Sequence, residues 1–355
     1  MIEVHPLHSF DARYFKEGSD LFSFDAVALE SAKTRANRAS FKKIKMNGGV
    51  KNKKVEKISL ESLERFLKSP AEAFFREGLQ LKMDEIQGDS EGEESGQIER
   101  YALMRFDQEI LKNTALSEVD SEFLADFVKT QTFSGHWPKG VYGEIALEAL
   151  KDRGHRVLEL SRQINLGKRC DPLRLEENLF GVEISSPTLI TGILPAFFEK
   201  GFMSVVDTKT PRLKHHRNAW LRYLLLRHRD QDNRFAQMTS VIVSAHWDGK
   251  VSELQFTLSP EEAQNILRGL LETFLLNLEE VIPIYFECCE AVHRKKTEDL
   301  SEKFEEAIAW CEYSLLYFKT PPDFEEETLF LRLENFTRLF YGTFFSEKWG
   351  LGKLL

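Results

Sequence analysis

The chain has 355 residues and a formal net charge of -9; 42% of its residues are hydrophobic and 30% charged. This balance excludes both a disordered polyelectrolyte and a polycation that holds nucleic acid by bulk charge, and it leaves enough apolar residues for a sizeable core. No apolar run approaches the roughly 18 to 20 residues a membrane span needs, no GxxxxGK[ST] loop is present to drive an ATP motor, and Cys170, Cys288, Cys289 and Cys311 form no CxxC pair. The opening MIEVHPLHSFDARYF lacks a basic segment followed by an apolar one, so a soluble cytoplasmic protein is expected, without metal or cofactor.

Charge is distributed unevenly at first. Residues 33–57 carry ten Lys or Arg against Glu56 alone, and residues 84–99 carry seven acids and no base. Both read as solvated loops, the first with the option of touching phosphate. Between them, Leu60, Leu63, Phe66 and Leu67 recur at helical spacing behind Ser59, a good N-cap, and Pro70 opens a second short helix. Residues 101–112 and 118–129 read as two more helices, and the turn HWPKGVYGE leads into another over 143–153. From Leu179 the period shortens. LFGVEI, TLITGILPAFF and FMSVVDTK read as three strands, the last two joined at Glu199, Lys200 and Gly201. A helix follows over 218–229, then two strands, MTSVIVSAHW and VSELQFTL, about Asp248 and Gly249. Ser259-Pro-Glu-Glu262 is a capping box that opens a helix to about Glu280, and the remainder reads as helical to the end.

Helix, three strands, helix, strand resembles the PD-(D/E)XK restriction-endonuclease-like core, an α/β fold with a mixed sheet flanked by helices. The division expected is an N-terminal arm with a basic loop (1–57), a helical subdomain (58–130), the nuclease-like core (131–258) and a C-terminal helical segment packed on it (259–355). Asp207-Thr208-Lys209, at the end of a strand, matches half of such a site. Mg²⁺ requires converging oxygen ligands, so a second carboxylate must come from the neighbouring strand. The corresponding slot is Gly192-Ile-Leu-Pro195, and Pro195 offers no side-chain oxygen. Glu199 belongs to the turn, and Glu144 or Glu148 would have to serve from the first helix. Trp220 and Arg222 stand where an active enzyme often has Gln, leaving only Tyr223 of the usual pattern. The fold is therefore expected without the site, with Asp207 and Lys209 as remnants engaged in a strand-end ion pair or turn.

His5-Pro-Leu-His-Ser-Phe10, Arg13-Tyr-Phe15, Leu21-Phe-Ser23, Ser59-Leu-Glu-Ser-Leu with Phe66 and Pro70, Pro138 to Glu144, Trp220-Leu221, and Ile282-Pro283 followed by Trp310 resemble the C-terminal region of the exodeoxyribonuclease V gamma chain, the RecC type. The gamma chain is much longer and begins with helicase-like domains, so Met1 reads as the start of an excised fragment or a shortened homologue. The resemblance implies a degenerate nuclease-like domain that does not cut DNA. It further implies membership in a RecBCD-type helicase–nuclease of double-strand break repair and recombination, contact with forked or single-stranded DNA, and contact with the beta and alpha subunits.

A guided strand needs cations for its phosphates and aromatic faces for its bases. The basic turn of Lys209, Arg212, Lys214, His215, His216 and Arg217 supplies the cations, and Arg222, Arg227 and Arg229 continue along the helix. Trp220 and the Phe336, Phe340, Phe344 and Phe345 cluster read as packing rather than as stacking or partner surfaces. Two other readings stay open: a Mg²⁺-dependent nuclease in which Asp207, Lys209 and a relocated acid such as Glu144 form the site, and a pure protein-interaction scaffold whose basic turn meets an acidic partner.

Overall fold

A computed structural model describes residues 56–82, 98, 100–112, 119–179, 188–246, 248–309, 311–318, 322–324, 326–346 and 349–352, all within the unit Gly48–Leu355. The N-terminal arm, nearly all of the basic and acidic runs, residues 180–184 of the expected first strand, and Trp310 lie outside the described residues.

Strand β1 (Lys57–Ser59) leads directly into helix α1 (Leu60–Lys68), whose first turn is closed by Ser62 N–H donating to the Ser59 hydroxyl at 3.0 Å. Helix α2 (Pro70–Ala73) continues as a π-helical turn, Phe74–Gly78. Helices α3 (Arg100–Lys112), α4 (Ser121–Phe133) and α5 (Val141–Arg162) come next. The last runs well past the expected residue 153 because Leu150, Gly154, Val157, Leu158 and Ser161 continue one buried stripe through it. Leu150, Val157 and Leu158 join Phe106, Ile110 and Leu124 in a core against Ala245, just past the end of a sheet strand.

Two sheets follow. In the smaller, β4 (Thr188–Leu194) lies between β3 (Leu173–Leu179), to which it is antiparallel, and β1, to which it is parallel. A strand lies just before the one expected from Leu179 and ends there: Leu173, Leu175 and Leu179 alternate with exposed Arg174, Glu176 and Asn178, and half-buried Glu177 interrupts the apolar face, so its charges hide it. The run TLITGILPAFF is broken at Pro195-Ala196. Pro195 has no N–H for a ladder, β4 stops at Leu194, and Phe197–Phe198 form β5 in the other sheet.

The larger sheet also contains the two-residue strand β2 (Arg169–Cys170), and its order is β2-β5-β6-β7-β8-β9. β6 (Gly201–Val206) turns back from β5 at Phe198↔Gly201 and runs parallel to β7 (Gln237–Ser244), the two linked by the crossover helix α6 (Arg217–Arg229). A side chain at Gly201 would place its Cβ 1.9 Å from the Thr239 carbonyl oxygen, so this tight entry to the parallel pair requires glycine. β8 (Val251–Thr257) is antiparallel to β7, and β9 (Trp349–Gly352) closes the far edge where helix was expected.

Helix α7 (Pro260–Asn277) starts at the expected capping box: Ser259 N–H donates to Glu262 at 2.7 Å, and Glu262 N–H to the Ser259 hydroxyl at 3.2 Å. At its end the buried Asn277 amide donates to the Pro70 carbonyl at 2.9 Å and accepts from Ile282 N–H at 3.0 Å. That one side chain ties the C-terminal segment to the N-terminal helices. Helices α8 (Phe286–His293), α9 (Leu300–Ile308), α10 (Glu312–Tyr317), α11 (Glu327–Phe336) and α12 (Gly342–Ser346) cover the same flank. No helix among the described residues is long and apolar enough to cross a membrane.

Candidate nucleic-acid interface

The segment after β6 is fastened to the β7–β8 hairpin by backbone bonds. Ala245 N–H donates to Val206 at 2.8 Å, Lys250 N–H donates to Lys209 at 3.1 Å, and the Ser244 hydroxyl donates to the Thr208 carbonyl at 2.7 Å. These bonds fix where Asp207 and Lys209 start from. Beside β6 lies a cleft of about 520 Å³ lined among others by Asp107, Pro195, Ser204, His215, Asn218 and Arg222.

Asp207 faces a cation that the sequence reading did not single out. Arg153, on α5, reaches it through one guanidinium nitrogen at 2.5 Å. The other edge of the same guanidinium grips Asp107 on α3, with Nε to Oδ1 at 2.7 Å and Nη2 to Oδ2 at 2.5 Å. The next residue, Gly154, sits where α5 packs closely on its neighbours. A Cβ there would meet the Val119 side chain at 2.6 Å and Phe106 of α3 at 3.3 Å, so glycine leaves room for the close packing of α5 here. Burial raises the Asp107 pKa, and the Arg153 hydrogen bonds oppose that rise; burial also works against the guanidinium charge, but the bonds and charges of Asp107 and Asp207 outweigh it. The signal in the sequence was slight: Arg153 sits three residues after Leu150 and four before Val157, a charged residue next to the apolar stripe.

Lys209 pairs with Asp248, which also meets His246 Nδ1 at 2.5 Å; the hydrogen bond from Lys209 is the largest influence holding the Asp248 carboxyl below its usual pKa. Pro195 is exposed at the cleft and brings no oxygen to Asp207. Glu144 and Glu148 are exposed on α5, Glu148 pairing with Lys151 at 2.8 Å, and Glu199 accepts from Lys168 N–H at 3.1 Å. Among the described residues, no three His, Cys, Asp or Glu side chains gather into a group that could hold a metal ion.

The structure divides the basic turn. His216 is fully buried, its ring nitrogens bonded to Ser240 at 2.8 Å and Ser252 at 2.9 Å, and desolvation pushes its pKa down to about 3. It is therefore a neutral core residue, and the expectation that it faces DNA is corrected by its packing between two sheet serines. His215 accepts from Arg212 N–H at 3.0 Å and falls to about 4, first through burial and then through its cationic neighbours. Lys214 pairs with Glu287 at 2.9 Å. Arg212 is exposed; Arg217 is half-buried, and its Nε has no hydrogen-bond partner. Further along, Arg222 pairs with Glu64 at 2.8 Å, Arg227 is buried against Asp230, and Arg229 pairs with Glu177 at 3.4 Å. The exposed Arg169, on the cleft wall, is a cation the sequence reading passed over because it lies outside the 209–229 cluster.

Trp220 has no exposed surface and packs on Tyr223, Phe256 and Phe344, with Phe336 and Phe340 in the same core. The Tyr223 hydroxyl donates to Ala236 at 3.1 Å and accepts from Leu258 N–H at 2.8 Å, which makes it a structural bridge between α6 and the strands.

Comparison with known proteins finds one family model, described as the RecC C-terminal domain, matching residues 55–297. No curated protein matches the chain.

Proposed function

This chain belongs to the RecC C-terminal domain family, and from that premise we propose that it is a non-catalytic region of a RecBCD-type helicase–nuclease, contacting DNA while other subunits provide motor and nuclease activity. The match over residues 55–297 carries the reading. In the larger sheet, α5 and the antiparallel strands β2, β5 and β6 precede the parallel crossover from β6 to β7, an order that supports a PD-(D/E)XK-type ancestry, while β3 and β4 depart from the single expected sheet by pairing with β1 in the smaller one. Asp207 gripped by Arg153, with Pro195 in the neighbouring slot, supports loss of cutting. Exposed Arg212 on the turn and exposed Arg169 on the cleft wall are the phosphate contacts we assign; Lys209 is exposed too but is engaged by Asp248. The alpha and beta subunits of the helicase–nuclease are the partners this reading implies.

A scaffold role has one specific observation in its favour. Phe133, Val141, Tyr142 and Ile145, neighbours in sequence at the end of α4 and the start of α5, are 81%, 67%, 68% and 61% exposed, apolar surface that a partner could cover. The test is a forked-DNA assay of the full chain at low and high salt, with Mg²⁺ or Mn²⁺ and with EDTA, scoring binding and cleavage together. Salt-sensitive binding without cleavage, with a log–log slope of about 0.7 to 0.9 per phosphate contacted, supports the DNA-contacting region. Metal-dependent cutting lost in Asp207→Ala overturns it. No binding at either salt concentration leaves the scaffold.

A further inference from the structure

We propose that the Arg153 guanidinium is a resident cation filling a cation site between Asp107 and Asp207, and that truncating it opens the site to a divalent metal ion. The inference concerns the acid pair alone and stands whether or not the chain contacts DNA.

Three observations carry it. The two carboxylates come from separate elements, the middle of α3 and the end of β6, and converge on one planar cation through three contacts of 2.5 to 2.7 Å. Their burial is unequal. The Asp107 side chain is 7% exposed and fixed by a bidentate grip, whereas Asp207 is 45% exposed at a strand end, so one ligand is held in place while the other is free to adjust. Finally, Asp107 lines the cleft beside β6, so the space vacated by a shortened side chain lies next to an entry route. A small hard cation needs one or two carboxylate oxygens in near-octahedral geometry and keeps water in its other positions, and two aspartates beside a cleft supply that. With Arg153 present the acids already have their counter-charge, and a metal ion would have to displace a covalently tethered guanidinium. Removing the side chain leaves a buried Asp107 without a partner; a proton on Asp107 or a divalent ion between the two acids then supplies the missing charge, and the ion has the advantage of compensating Asp207 as well.

Mn²⁺ is the probe, read by the loss of the free-ion electron paramagnetic resonance signal and by thermal unfolding of the full chain. The wild type is expected to take up no ion and to keep its Tm as MnCl2 rises. Arg153→Ala is expected to bind one ion per chain and to gain about 3 °C or more at saturation, by linkage. Arg153→Ala combined with Asp207→Asn is expected to lose both effects. If Arg153→Ala folds only when Mn²⁺ is present, folding itself becomes the positive result. If it folds under neither condition, Arg153→Gln, which keeps an amide donor for Asp107, takes its place in the same titration. The proposal is overturned if the wild type binds Mn²⁺ equally well, if the double variant retains the uptake, or if neither single variant responds.

Discussion

The indole N–H of Trp220 donates to the Phe340 carbonyl at 3.1 Å, joining the crossover helix of the large sheet to the C-terminal helices. Phe344 packs at a tilt against the same indole and stacks on Phe256, so residues well past the end of the family match at 297 cover the aromatic core inside it. Trp220→Phe keeps most of the packing and leaves a buried carbonyl without its donor, which costs about 1 to 3 kcal/mol. Trp220→Ala adds a cavity, and about 3 to 5 kcal/mol is expected. Urea unfolding of both variants checks this order; equal midpoints would refute it. Ending the chain at residue 297 would strip the same core and is expected to give an aggregating product.

His216 gives the fold an acid-labile point. Its folded pKa of about 3 lies below the ordinary value of 6.5, so the unfolded chain takes up a proton more readily than the folded one between those values. The stabilisation is complete above about pH 6.5 and is lost as pH falls towards 3. By pH 5 the loss amounts to about 2 kcal/mol from this residue, and His215, lowered to about 4, adds in the same direction. Unfolding measured from pH 7.5 to 4.5 should show the wild type losing more stability than His216→Gln. Parallel profiles would contradict the assignment of the buried ring as neutral.

Local chemistry made the frame of this fold readable. Ser59 and the Ser259–Glu262 box mark helix starts through side-chain capping, and Glu199-Lys200-Gly201 marks a tight turn because Gly201 meets Thr239 too closely for any side chain. The short strands β1 and β9, at sheet edges, were not readable. Lys57–Ser59 and Trp349–Gly352 exist through partners more than 90 residues away, Leu189 to Thr191 and Val251 to Leu254, and three or four residues carry no periodicity of their own. The site showed the same limit. That Pro195 lacks a ligand oxygen follows from its chemistry alone, but Arg153 as the partner of Asp207 depends on how closely α5 approaches α3. The basic turn was legible as charge and not as surface, since burial of His216 and pairing of Lys214 with Glu287 are decided by elements far along the chain.

That pairing separates two cations that look alike in sequence. Arg212 is exposed, whereas Lys214 is engaged by Glu287. If the turn contacts phosphate, Arg212→Ala should weaken binding to any DNA sequence and reduce the salt slope by about 0.7 to 0.9, the share of one phosphate. Lys214→Ala should change the slope by much less. Fluorescence anisotropy with a labelled fork, titrated from low to high salt, measures both. A larger effect at Lys214 would mean that its ion pair opens on binding and that the buried side of the turn is the one that faces DNA.

Restoring an acid at position 195 tests whether one missing ligand is all that separates this chain from a nuclease. Pro195→Asp places a carboxyl where the neighbouring strand of an active site would supply it, and Pro195 is exposed at a strand junction, so the substitution is expected to fold. Cutting should still be undetectable with Mg²⁺ or Mn²⁺. Asp207 is already neutralised by Arg153, and Lys209 is drawn to Asp248 instead of standing free beside an attacking water. A metal ion arriving at the new acid would therefore have to compete with the Arg153 guanidinium for Asp207 and would find no lysine in reserve. Supercoiled and forked DNA incubated with Pro195→Asp, with the wild type and EDTA as blanks, would reveal even slow nicking. Nicking that appears in Pro195→Asp alone would show that Arg153 yields its carboxylate to a metal, and would move the cause of inactivity from the ion pair to the proline.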